Sequence, residues 1–556
     1  MPTMRRQRIA HAVRPARRSP RLIWIVIVAA VIAAGAGCSS SASPPRASGG
    51  TLVVGVSGDF ENFDPCIGGS PRTTEVVAST YENAVGFKTQ PTSAGYRTQV
   101  LDDSNGWVPL LARSVNISGD FTTYTFHLRP GVKFTQTGDP MTADDWIYTW
   151  KRMLAKPGIG FCPFENSDAS ITSVSQVKKI NSMTVQITVP KASDRLTLAN
   201  MRLVDFAILD SKAVQKHSTK ADPWGSNWLA THSAGTGPYY IQSYTPGSQL
   251  VLARDPHYWG GSRPGSYDKI IMKVIPDLST RVSLMQAGDL DMAENIPPRQ
   301  AVSLSKQSGI KLVDVPVGNR ISIGMDNTKP PFNNMNVRNA LAYAVPVQNI
   351  INTVYYGKAR PYKSYVLQGV PGYSGSSYKP VFDQARARQF LAAAGDSKGL
   401  TLTLTVNSAF PDYEEIATLY QASLAAIGVK VNIQTLQPAD FVSQWFANKL
   451  TFFIQDGISW IDDPGTVTGL WMWSQGPSDF SHFSNPTVDK LYTEWNTQPD
   501  SAARQAAFEQ VQQIFNSETS VAYVCLNNFL LPIKGSVKGY TLYKDTNTHF
   551  GDLYAG

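Results

Sequence analysis

The chain has 556 residues, 42% of them hydrophobic, with 50 Lys and Arg against 42 Asp and Glu, a formal net charge of +8. Seven arginines (Arg5, Arg6, Arg8, Arg14, Arg17, Arg18 and Arg21) precede residue 22, where no acid stands; setting them aside leaves 43 against 42, so the basic balance belongs to this leader and gives no argument for nucleic acid. Four scattered cysteines, and seven histidines of which no two lie within five residues, speak against a disulfide scaffold and a clustered zinc site.

After the basic head comes an apolar run from Leu22 to Gly37, closing on the small residues Gly35-Ala36-Gly37 before Cys38. This pattern predicts a secretory signal peptide over 1–37; its 16-residue core falls short of the roughly 20 that span a bilayer, and an uncleaved anchor helix is the alternative. Cys38 at this exit resembles the lipobox cysteine of bacterial lipoproteins, whose thiol takes diacylglycerol and becomes the new N-terminus. Gly35 departs from that signal, which carries Leu, Val or Ile three residues before the cysteine. Residues 39–50, rich in Ser, Pro and Gly, predict a flexible tether, placing the folded body on the outer face of the cytoplasmic membrane.

From Cys38 onward there are 519 residues, enough for two or three domains. In an oxidising compartment one bridge is expected, Cys66–Cys162, with Cys525 a buried thiol in the apolar run 521–526.

Thr51–Val56 reads as the first strand, and Thr123–Leu128 alternates as a second. Thr142 followed by Ala143-Asp144-Asp145 predicts a helix start with acids in the first turn. Strands are predicted at 185–189, 250–253, 270–275, 400–406 and 429–436. Helices are predicted at 279–287 (stopped by Gly288), 337–356 and 413–427. Strands interspersed with helices define an α/β chain with mixed sheets.

Six segments, in order, resemble the landmarks of family 5 extracellular solute-binding proteins, the receptors of oligopeptide, dipeptide and nickel ABC importers. They are Leu128–Phe134 with Met141–Trp146, Gly235–Tyr239, Arg254–Trp259, Gln286–Asp291, Pro330–Phe332 with Val337–Ala344, and Ser484–Leu491. The resemblance covers the chain from about Thr51 onward. It implies a two-lobed, type II periplasmic-binding-protein fold with an extra domain inserted in the first lobe. Carried over, 51–80, 215–310 and 515–556 form lobe I, 81–214 the inserted domain and 311–514 lobe II. It also implies a monomeric receptor, without enzyme activity or cofactor, that closes over a peptide and hands it to permease subunits. A non-peptide ligand such as a nickel chelate, haem or a sugar is the alternative within this fold, and a secreted hydrolase is the remote one.

Peptide binders of this family carry an aspartate shortly after a Gly-Trp pair, where it accepts the ligand's ammonium. Here Ser459-Trp460-Ile461-Asp462-Asp463-Pro464 resembles that segment, with Ser459 in place of the glycine. The spacing makes Asp463 the first candidate and Asp462 the reserve; the alternative is that they open a turn or cap the next helix. Phe441, nineteen residues before Trp460, stands where relatives carry a pocket aromatic, or is plain core. Trp471 and Trp473 line a pocket or simply pack. Gly395-Asp396-Ser397-Lys398-Gly399 matches a nucleophile elbow only formally, because a helix precedes it and a strand follows, the reverse of what that motif needs.

Replacing Cys38 by Ala is expected to abolish lipid attachment, leaving unprocessed or shed protein. Lipid labelling and membrane fractionation check this.

Overall fold

A computed structural model describes residues 49–556 except 68–69, 93–94, 101–105, 156–169, 191–197, 396–398 and 460. The leader, Cys38, Cys162, Trp460 and most of the Gly395–Gly399 motif lie outside the described residues.

The strands that organise the molecule are β1 (Thr51–Val56), β2 (Ala112–Ile117), β3 (Thr123–Leu128), β4 (Val177–Asn181), β5 (Thr184–Thr188), β6 (Tyr239–Thr245) and β7 (Gln249–Arg254). They continue with β8 (Lys269–Val274), β9 (Met292–Ala293), β10 (Ile310–Met325), β11 (Thr401–Asn407), β12 (Lys430–Leu436), β13 (Phe452–Gln455) and β14 (Val521–Lys534). The helices used below are α1 (Pro71–Thr80), α2 (Ala143–Ala155), α3 (Leu278–Ala287), α4 (Pro298–Leu304), α5 (Met335–Tyr343), α6 (Val347–Thr353), α7 (Gln384–Ala393), α8 (Pro411–Ala425), α9 (Pro464–Trp471) and α10 (Ala502–Ser517).

One mixed sheet runs through the molecule in the order β6-β7-β8-β1-β9-β14-β10-β13-β11-β12. Its middle is the antiparallel pair β10–β14. Ile310–Pro316 pairs with Asn528–Lys534, and Asn319–Gly324 pairs with Val521–Asn527, with register shifts at Pro316/Asn319 and Ile321/Ser322. The first half of the pair joins β9 through Met292–Ile533, whereas the second joins β13 through Ser322–Met325. At about 3.4 Å per residue, a 16-residue strand such as β10 spans roughly 50 Å. Two strands therefore serve two lobes. Leu52, Val54, Ile270 and Met272 are fully buried in the core of the first lobe, and Ile323, Leu404, Val406 and Ile416 in that of the second.

β2, β3, β4 and β5 form a separate antiparallel sheet, ordered β2-β3-β5-β4, with α2 against it. The alternation in Thr123–Leu128 buries Tyr124, Phe126 and Leu128, and Trp146 meets Phe126 edge-on at 5.0 Å. α2 is started as predicted: Asp145 accepts hydrogen bonds from the Thr142 amide and hydroxyl, at 2.8 and 3.0 Å. This domain is tied back by the buried pair Asp64–Arg152. Cys66, beside it, is disulfide-bonded, whereas Cys525 is a buried free thiol.

The sequence landmarks are staples of this scaffold. Thr236 (2.8 Å), Trp259 (2.6 Å) and Tyr258 all donate to the buried Glu82 carboxylate, and Arg129 lies 4.9 Å over the Trp259 ring. Burial pushes the Glu82 carboxyl up to about 7, against the lowering effect of those donors. At Gly235 and Gly237 a Cβ would sit 2.3 and 2.6 Å from the Thr80 backbone, so neither tolerates a side chain without a backbone shift. Arg338 donates to the Phe332 (2.8 Å) and Glu518 (2.7 Å) carbonyls, and Asp291 accepts from the Val53 amide at 2.7 Å.

Most predicted elements fall within a residue or two of their observed positions, and Gly288 closes α3 in the left-handed region as expected. The helix predicted over 337–356 is instead two, α5 and α6. Pro346 has no N–H to continue the ladder and disfavours helical backbone at Val345, so the chain breaks there and restarts.

Candidate functional site

In open sheets, ligands bind beyond the carboxyl ends of the parallel strands. Here β1 runs parallel to β8 and β9, and β11 runs parallel to β12 and β13. Their carboxyl ends lead to Ser57 and Glu294-Asn295 on the first lobe, and to Asp412 and Asp456 on the second. These ends face one another, because Arg299 of α4 meets Glu415 of α8 at 3.6 Å across the gap.

Each lip carries carboxyls raised by burial. Glu75 accepts from the Thr548 amide at 3.1 Å and adjoins Glu294; burial lifts both, and their mutual repulsion lifts Glu294 further. On the other lip Asp412 accepts from the Tyr355 hydroxyl at 2.7 Å and is pushed up to about 6, with Asp456 raised beside it. Among the described residues no group of three or more His, Cys, Asp or Glu is arranged to hold a metal ion.

The paired aspartates have different surroundings. Asp463 is 1% exposed and caps α9, accepting from the Gly465 (2.8 Å) and Thr466 (3.2 Å) amides. Arg504 of α10 grips both its oxygens, at 2.7 and 2.8 Å. Arg504 is itself fixed by the Trp495 carbonyl and lies over Phe508. This is the helix-capping alternative read from the sequence, completed by a charge partner 41 residues further along the chain.

Asp462, 2% exposed, points elsewhere. One oxygen lies 3.5 Å from the Arg320 guanidinium, and the other meets the Lys544 ammonium. Arg320 sits on β10 just past the first register shift. It donates to the Tyr365 and Gly318 carbonyls and lies 5.2 Å over the Trp471 ring. Burial pushes its guanidinium down to about 10. Lys544 belongs to the C-terminal segment packed on α1, so its contact with Asp462 crosses from one lobe to the other. In the second lobe a cavity of about 260 Å³ is lined by Arg360, Tyr362, Lys363, Leu367 and Leu526 among others.

The remaining candidates are built into the scaffold. Ser459 is fully buried and donates to the Ile461 carbonyl, shaping the turn that presents Asp462. Phe441 packs in a small core with Leu450, Phe453 and Phe480. Trp471 stacks on Tyr365 at 5.3 Å, and Trp473 faces Tyr492 at 4.8 Å. Gly395 follows α7 and precedes β11, a helix-to-strand order. Lys544, Arg320 and Arg504 went unread in the sequence. Arg320 alone leaves a trace, as a charge at the head of the uncharged run 321–325.

The profile of bacterial extracellular solute-binding proteins, family 5 middle, matches residues 106–479, and the chain belongs to this family. The probable D,D-dipeptide-binding periplasmic protein DdpA of Escherichia coli is 26% identical over 495 residues, 88% of this chain and 91% of that protein. Heme-binding protein A of Haemophilus influenzae is 27% identical over 449 residues, 78% of this chain and 81% of its own. Among solved structures, the periplasmic binding protein DppA from Helicobacter pylori in complex with the peptide STSA superposes with a TM-score of 0.75. That match is 22% identical and covers 92% of this chain and 99% of that one. The fold is thus the two-lobed type II arrangement of substrate-binding proteins of ABC importers, with a domain inserted in the first lobe.

Asp463→Asn breaks a buried charge pair within one lobe and is expected to cost about 3–5 kcal/mol of stability. Denaturant unfolding measures this; a variant as stable as the parent would contradict the scaffold role.

Proposed function

We propose that this chain is the substrate-binding lipoprotein of an ABC importer, closing two lobes over a small peptide and presenting the closed form to the permease. The observation that carries the reading is the Asp462 carboxylate, buried on one lobe and facing an ammonium from the other. A peptide caught between closed lobes has its own ammonium stripped of water, and a buried charge without a partner is very costly. Asp462 supplies the opposite charge, and we place it ahead of Asp463, whose oxygens already serve Arg504 and the α9 terminus. The names of curated relatives, several of them dipeptide- or di/tripeptide-binding proteins, support a peptide.

Recognition of this kind needs no bond-making. A ligand that touches both lobes favours the closed form by its differential affinity, and the register shift at Pro316/Asn319 gives the crossing strands a place to bend. In this proposal Cys38 holds the protein by lipid to the outer face of the cytoplasmic membrane. Lobe I takes 51–80, 215–310 and 515–556, the inserted domain 81–214 and lobe II 311–514. Cys66 pairs with Cys162, a pairing supported by Cys66 being disulfide-bonded and Cys525 free. The haem-binding relative supports a second reading, the same closure over a non-peptide ligand.

Asp462→Asn is expected to weaken binding of an unblocked peptide by about 2–5 kcal/mol, roughly thirtyfold to several-thousand-fold. N-acetylating the peptide should do similar damage, and the two losses should not add, since both delete one interaction. Titration calorimetry measures all four combinations. Unchanged binding by Asp462→Asn would favour a ligand that is not a free peptide.

A further inference from the structure

The contact that identifies Asp462 also poses a difficulty, because its ammonium partner comes from the protein itself. The backbone around Lys544 is fixed to the first lobe and to the domain inserted in it. The Lys544 amide donates to Gln99 at 2.7 Å, the Thr74 hydroxyl to Asn547 at 2.5 Å, and the Phe550 amide to the Ser79 hydroxyl at 3.1 Å. Three of these anchors, counting the Thr548 amide on Glu75, lie on α1. Asp462 is equally fixed on the second lobe, between the turn closed by Ser459 and the cap formed by Asp463. Neither backbone can follow the other, so opening the lobes separates the two charges. The Lys544 side chain is only 8% exposed, so the pair is sheltered from the water and salt that weaken surface pairs.

We propose that Lys544 is a tethered stand-in for the ligand's amine: it holds Asp462 across the lobe interface while the cleft is empty, and an incoming ammonium displaces it. The proposal rests on Asp462 being the ligand's amine acceptor. It makes Lys544 a specificity-determining residue in two ways. A ligand without a cationic group has nothing to exchange for the lysine and leaves the pair in place. A ligand with one binds at an apparent affinity lowered by the fraction of molecules in which Lys544 occupies the carboxylate. Arg320 keeps its place beside Asp462 whichever ammonium is present, so the carboxylate is never left buried without a cation.

The test uses the full mature protein, freed of bound ligand by reversible unfolding, and the variants Lys544→Met, Asp462→Asn and both together. Without ligand, small-angle scattering should show the parent more compact than all three variants, which should be expanded to the same extent because each loses the same cross-lobe contact. Titration with alanyl-alanine should find Lys544→Met tighter than the parent by about tenfold or more, with N-acetyl-alanyl-alanine unaffected by the substitution. Superimposable ligand-free scattering of the parent and Lys544→Met overturns the proposal. So does a loss of alanyl-alanine affinity in Lys544→Met, which would make the lysine a direct contact for a ligand carboxylate. If no variant binds alanyl-alanine, the peptide reading fails, and the scattering comparison still decides whether Lys544 holds the lobes together.

Discussion

The constraint on which this molecule depends is that β10 and β14 pair along most of their length within one sheet while serving the cores of two different lobes. Neither lobe closes its core without them: Val313, Val315, Leu531 and Ile533 pack into the first, and Ile321, Ile323, Ala522 and Val524 into the second. The pairing is interrupted between the two halves, at Pro316 and Asn319, where the strands pass from one lobe to the other. Pro316 has no amide to contribute there, and the ladder resumes with Asn319 and Arg320. Arg320 is the first charged side chain past that interruption, and it reaches Asp462. The bend and the charge that reports on it are one step apart in the chain.

Buried ion pairs serve two ends in this protein, separated by whether they cross that bend. Asp463–Arg504 lies within the second lobe and has no reason to open. Its bidentate geometry and two amide donors make it a fixture around which α9 and α10 pack. Asp462–Lys544 crosses the interface, so its free energy is charged against the open state. The exposed pair Arg299–Glu415 crosses too, but at 3.6 Å with 63% and 45% of the side chains exposed it contributes about 0–1 kcal/mol. Of these two, the buried pair is the one strong enough to bias the lobes.

The scaffold was more legible in the sequence than the site, for a physical reason. Landmarks such as Gly235-Thr236-Gly237 and His257-Tyr258-Trp259 are local runs from which Thr236, Tyr258 and Trp259 converge on Glu82, so the constraint leaves a mark at each segment. The alternation of Thr123–Leu128 and the stop at Gly288 report local burial and local backbone geometry in the same way. Asp462 and Asp463 stand side by side and look alike as letters. What separates them is Arg504, 41 residues later, and Lys544, 82 residues later, neither of which carries a local pattern. Phe441 and Ser459, singled out by spacing, are both buried, one in a small apolar core and the other in the turn before Asp462.

The central claim is that the interface between the lobes takes a small ligand through an amine. Native mass spectrometry of the mature protein, prepared gently from its own cell envelope, tests it most directly. The account predicts an adduct released on denaturation whose mass and fragmentation are those of a short peptide with a free N-terminus. An adduct identified as haem, a nickel chelate or a sugar would contradict it.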